Sequence, residues 1–78
     1  MPSPKPVPEK VHRMVGERIR FIRITLGLSE AELASRLKVS RQTVSNIETG
    51  KARITLCDLQ RYAKALGTTP LHLMKGIW

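Results

Sequence analysis

Arg41, Gln42, Ser45 and Asn46 stand at i, i+1, i+4 and i+5 in a short stretch that also holds Val44 and Ile47. On an α-helix this spacing gathers the four polar side chains on one face and turns the two apolar ones to the other. The chemistry open to such a face is base recognition. Arg can pair with guanine through two parallel hydrogen bonds, and Gln or Asn can do the same with adenine, in a major groove that admits a helix. The alternative is a face that is simply solvated. Solvated faces, however, usually carry Glu and Lys for i,i+4 pairing. Arg, Gln, Ser and Asn together fit a reader of bases better.

Such a face must be held out by the elements around it. Ser40 is placed to cap a helix over 41–49 that Gly50 ends. Before it, Ser29 and Glu32 have capping-box spacing and open a helix over about 30–37. Lys38 and Val39 leave only a tight turn between the two. Leu33, Ala34, Leu37, Val39, Val44 and Ile47 supply the apolar contacts, with Ala34 small enough for the helices to cross closely. Two short helices joined this way suggest a helix-turn-helix. Upstream, Val11, Val15, Ile19, Ile22 and Leu26 recur at helical spacing and predict a helix over roughly 9–26, stopped by Gly27. Downstream, Thr55 caps a helix with Leu56, Leu59, Ala63 and Leu66 inward, Gly67 stops it, and Thr69-Pro70 opens a last short helix. Five helices and no strand predict an all-α domain over 9–78, behind a Pro-rich arm over 1–8 that excludes helix and central strand.

Composition narrows the partner. The 78 residues carry 14 Lys plus Arg against 6 Asp plus Glu, a formal net charge of +8 that points to a polyanion. A membrane surface is disfavoured because the apolar stripe of the first helix is needed for the core. No apolar run is long enough to span a membrane and no signal peptide is visible, so a cytoplasmic protein is expected. The single cysteine, Cys57, can form no internal disulfide and is read as a partly buried structural thiol. His12 and His72 lie far apart with no carboxylate or cysteine at ligand spacing, so each is read as solvated or locally bonded and no metal is expected. No nucleophile–base arrangement and no glycine-rich phosphate loop occur. The expectation is a protein that is not an enzyme and needs neither cofactor nor small-molecule ligand.

The segments "GERIRFIR", "LGLSEAELASRLKVSRQTVSNIETGKA" and "DLQRYAKALG" resemble the Cro/C1-type phage-repressor helix-turn-helix family over about two thirds of the chain, in order and without gaps. The resemblance implies a five-helix, lambda-repressor-like domain that reads operator DNA with its third helix. By position it makes Arg41, Gln42, Ser45 and Asn46 base-facing, and Ser29, Thr43, Thr49 and Lys51 phosphate contacts. It also implies an ion pair between Arg23 and Glu48. Such a pair would explain an acid that otherwise opposes the helix dipole and would repel DNA. Lys38 and Arg53 add charge beside the same helix and are expected at phosphates too. The chain departs from the family pattern at Glu30, where Gln is common, at Lys38, where Gly is common, and at Phe21 and Ile24, where polar residues are usual.

Leu71, Leu73, Met74, Ile77 and Trp78 are more apolar residues than one closing turn usually buries. They are expected to form a symmetric dimer contact, with Leu71 and Met74 also closing the core; a dimer would place two reading helices on an inverted repeat. The reading is therefore a sequence-specific, double-stranded-DNA-binding transcriptional regulator, a repressor acting as a homodimer. The alternative is an antitoxin or accessory subunit that docks a protein partner such as a toxin through Phe21 and Ile24 or through the Pro-rich arm, or a restriction–modification controller.

Overall fold

The computed structural model describes residues 8–77. Five helices follow one another: α1 Glu9–Thr25, α2 Glu30–Leu37, α3 Arg41–Glu48, α4 Leu56–Leu66 and α5 Pro70–Met74. There is no strand among the described residues. Trp78 and nearly all of the Pro-rich arm lie outside them.

The caps act as the chain's punctuation. Ser29 Oγ accepts the Glu32 amide at 3.0 Å while Glu32 Oε1 accepts the Ser29 amide at 3.1 Å. Thr55 and Asp58 repeat the same reciprocal arrangement at the start of α4. Each box satisfies amides that have no partner within the helix. The Ser29 bonds hold the Glu32 carboxyl below its ordinary range, backbone bond first. At the end of α2, Lys38 takes a left-handed conformation, φ 59° and ψ 42°. A lysine there costs about 1 kcal/mol relative to glycine.

The core joins the α1 stripe Val11, Val15 and Ile19 to Leu33, Ala34 and Leu37 of α2 and to Val44 and Ile47 of α3. From α4 it takes Leu59, Tyr62, Ala63 and Leu66, and from α5 Leu73. Three expectations about this core need correction. Leu26 is exposed, because it is the cap residue of α1, and Leu28 packs inward in its place. Leu56 is 81% exposed, because the first residue of α4 only borders an open groove, and Tyr62 completes the inward stripe instead. Cys57, in the same first turn, is exposed and not partly buried.

Arginines tie the ends of the helices together. Arg18 donates to the carbonyls of His72 and Lys75 at 2.9 and 3.0 Å, anchoring α5 to α1. Arg61 donates to the Leu37 carbonyl at 2.6 Å, and Arg36 to that of Ala65 at 3.2 Å. Helix C-termini leave carbonyls unsatisfied and carry negative dipole ends, so a cation there is favourable. Part of the +8 charge is thus structural.

Tyr62 is buried, and its hydroxyl has no hydrogen-bond partner among the described residues. Burial, then the carboxylates of Asp58 and Glu48, push its pKa up to about 12. Tyr62→Phe removes the unpaired group, so at neutral pH it should melt no lower than wild type. The folded phenol holds its proton more tightly than the unfolded one, which ionises near pH 10. Wild type should therefore lose stability between pH 10 and 12 relative to Tyr62→Phe, and paired thermal melts across that range check it.

Candidate nucleic-acid interface

α3 is anchored on one side only. Val44, Ile47 and Glu48 are buried, Arg41, Gln42 and Thr43 are exposed, and Ser45 and Asn46 are half-buried on the outer flank. The four expected base readers therefore lie together on one free face. Gln42 Nε2 donates to Asn46 Oδ1 at 2.9 Å, coupling the two amides one helical turn apart. Each keeps unused capacity: the Gln42 carbonyl oxygen and a second N–H, and the Asn46 amino group. α3 itself presents no acid on this face, because its one acid is turned inward, while Glu30 at the start of α2 borders Ser45 and Thr49.

That acid is held by α1. Arg23 Nε donates to Glu48 Oε2 at 2.7 Å and Nη2 to Oε1 at 3.0 Å, a two-pronged pair. Arg23 Nη1 donates to the Leu28 carbonyl at 2.8 Å. The side chains are 9% and 2% exposed. The Glu48 bond raises the Arg23 pKa, so the guanidinium stays charged. The pair expected from the resemblance is present. It neutralises a carboxylate at the end of α3 and fixes that end to α1. A close backbone approach works with it: Gly16 on α1 faces the Ile47 and Glu48 carbonyls, with no room for a Cβ.

The expected phosphate contacts divide by what their donors already do. Lys38, Lys51 and Arg53 are exposed. Arg53 meets Glu9 at 2.7 Å, but the pair is open to water and worth at most about 1 kcal/mol. Ser29 accepts through its Oγ as a cap, which leaves its hydroxyl proton available beside the first-turn amides of α2. Thr43 Oγ1 shares a proton with Ser40 Oγ at 2.9 Å. The Thr49 hydroxyl donates to the Ser45 carbonyl at 2.8 Å, so its one proton points back into α3. The expected helix over 41–49 ends one residue earlier, with Thr49 as its cap residue.

The proposed dimer or partner residues scatter. Leu73 is 0% exposed and belongs to the core, so it cannot form an interface; one turn of α5 suffices to bury it against α1 and α4. Met74 and Ile77 are partly buried against the same core, and Trp78 lies outside the described residues. Leu71 remains, 78% exposed. On α1, Phe21 and Ile24 are exposed and line a shallow groove with Arg13, Arg20 and Thr49. Among the described residues no group of three His, Cys, Asp or Glu could hold a metal ion, and no helix is long and apolar enough to cross a membrane.

The family model described as helix-turn-helix matches residues 19–73. The chain is 35% identical over 63 residues to an HTH-type transcriptional regulator, YonR, of Bacillus subtilis, derived from the SPbeta prophage. That match covers 81% of this chain and spans 58% of the relative. Among solved structures, the restriction-modification controller protein C.AhdI from Aeromonas hydrophila is similar, with TM-score 0.74 and 31% identity over 78% of this chain and 92% of that one. The P22 c2 repressor, solved in complex with a synthetic operator, gives TM-score 0.72 and 33% identity over 81% of this chain and 96% of that one.

Proposed function

The chain belongs to the helix-turn-helix family, in its Cro/C1-type branch, and from that premise we propose a transcriptional repressor that binds an inverted-repeat operator as a homodimer. The protein is a DNA-binding regulator of transcription. One observation carries the finer reading: α3 buries Val44, Ile47 and Glu48 and leaves Arg41, Gln42, Ser45 and Asn46 together on its outer face. α3 lies in the major groove, where these four side chains discriminate bases. Lys38, Lys51, Arg53, Ser29 and the α2 amides hold the flanking phosphates, with Thr43 and Thr49 beside them. Two copies joined near Leu71 would set their α3 helices about 34 Å apart, one turn of duplex.

Base readers and phosphate holders differ in a measurable way. Gln42→Ala should cost about 1–3 kcal/mol on the specific site and relax the preference at one base pair. Lys51→Ala should weaken binding to all duplexes alike and lower the salt slope by about one. Fluorescence anisotropy titrations on specific and scrambled duplexes at several salt concentrations separate the two. Unchanged specificity in Gln42→Ala would remove α3 from the reading role.

A second reading is favoured by the likeness to C.AhdI, a restriction-modification controller protein of nearly the same extent. The DNA chemistry would be the same, and the regulated genes would differ. In an antitoxin or accessory subunit, the surface for a protein partner would be the exposed Phe21 and Ile24.

A further inference from the structure

His12 is a polar residue buried beside the apolar stripe of α1 at 6% exposure. Its Nδ1 accepts the backbone amide of Ile54 at 3.1 Å. An amide can only donate, so Nδ1 is the accepting atom of this bond. Ile54 closes the connection between α3 and α4, the segment that carries Lys51 and Arg53. At its other end the segment is tied to α3, where the Gly50 amide donates to the Ile47 carbonyl at 3.2 Å and the Ala52 amide to the Asn46 carbonyl at 3.0 Å. Lys51 and Arg53 thus sit on a short loop pinned at one end to α3 and at the other to α1. The Arg53–Glu9 pair is open to water and too weak to replace either tie.

We propose that His12 is a positioning residue for DNA binding: by accepting the Ile54 amide, it fixes the basic loop so that Lys51 and Arg53 reach the phosphates next to the base-reading face. The inference rests on the DNA-binding reading and adds to it a residue of α1 that touches no DNA. Ordering the loop before binding removes part of the entropy that a loose lysine and arginine would lose on meeting phosphates. A role in filling the core alone would leave the loop's charges where they are whichever atom of residue 12 accepts.

Two substitutions separate these roles. In His12→Asn the side-chain amide falls where Nδ1 lies and can still accept, whereas in His12→Gln it falls one bond further out, near Nε2. Hydrogen exchange at the Ile54 amide reads the anchor, and anisotropy titrations with a scrambled duplex read its effect on binding; thermal melts establish that both variants are folded. His12→Asn should keep the Ile54 amide protected and bind within about twofold of wild type. His12→Gln should lose that protection, bind about 5- to 10-fold more weakly and show a salt slope lower by about one. Adding Lys51→Ala to His12→Gln should then weaken binding by less than Lys51→Ala does alone. His12→Gln binding like wild type, or His12→Asn as weakly as His12→Gln, would overturn the proposal. A wild-type protein that binds no duplex would overturn the functional reading, and the proposal with it, while the Ile54 exchange would still report the anchor.

Discussion

Glu48→Ala should strongly destabilise the fold at 25 °C and not simply weaken its hold on DNA. The carboxylate is 2% exposed and takes two hydrogen bonds from Arg23, whose third contact is the Leu28 carbonyl. Removing Glu48 leaves a largely buried guanidinium without its hydrogen-bonded counter-charge, with only the more distant influence of Glu30. Breaking one partner of a buried pair costs about 3–5 kcal/mol. A domain of this size has a total stability of about 4–12 kcal/mol, at roughly 0.05–0.15 kcal/mol per residue, so the loss is a large share of it. Urea titration followed by circular dichroism measures it. Replacing both partners, as Arg23→Met with Glu48→Leu, should recover most of the stability, since an apolar pair of similar volume leaves no buried charge. A Glu48→Ala protein within about 1 kcal/mol of wild type would mean that the pair does not hold α3 in place.

Gly16→Ala is the second large effect, and its sign opposes helix propensity. In an open helix, alanine in place of glycine is favourable by about 1 kcal/mol. Here the new Cβ would meet the Ile47 carbonyl oxygen below any allowed contact and the Glu48 oxygen at 3.0 Å. Both atoms are backbone and cannot rotate away, so α3 must shift against α1. Overpacking of this kind costs about 1–3 kcal/mol, occasionally more, and the upper end is expected here. The displaced helix is the one proposed to read bases, so the folded fraction of Gly16→Ala should also bind its specific duplex more weakly. A thermal melt equal to or above wild type would show that α1 and α3 have room to separate.

The sequence disclosed the local features well. The caps at Ser29, Ser40 and Thr55 and the stops at Gly27 and Gly67 mark the helix ends within a residue or two, because capping is a contact between near neighbours. The outward face of α3 was legible for the same reason: the spacing of Val44 and Ile47 sets which side is buried. Contacts between residues distant in sequence left fainter marks. Gly16 has no side chain to enter a periodicity, so the closest helix crossing was silent. Arg18 and Arg61 read as surface charge, and nothing in their spacing reveals the helix-end carbonyls they reach. Leu73 looked like an interface residue because five apolar side chains crowd the C-terminus, and only the packing of α5 shows it to be core. His12 read as solvated or locally bonded, whereas it is buried and bonded to the Ile54 amide on a loop 42 positions away, a contact that spacing does not reveal.

The central claim is that α3 reads the bases of duplex DNA through Arg41, Gln42, Ser45 and Asn46. Selection of bound duplexes from a random pool, run in parallel on wild type and Gln42→Ala, tests it most directly. The wild-type protein should enrich an inverted repeat with half-sites about 10 base pairs apart, centre to centre. Gln42→Ala should enrich the same repeat with the preference relaxed at one position of each half-site. No enrichment by the wild-type protein, or an identical motif from the variant, would contradict it.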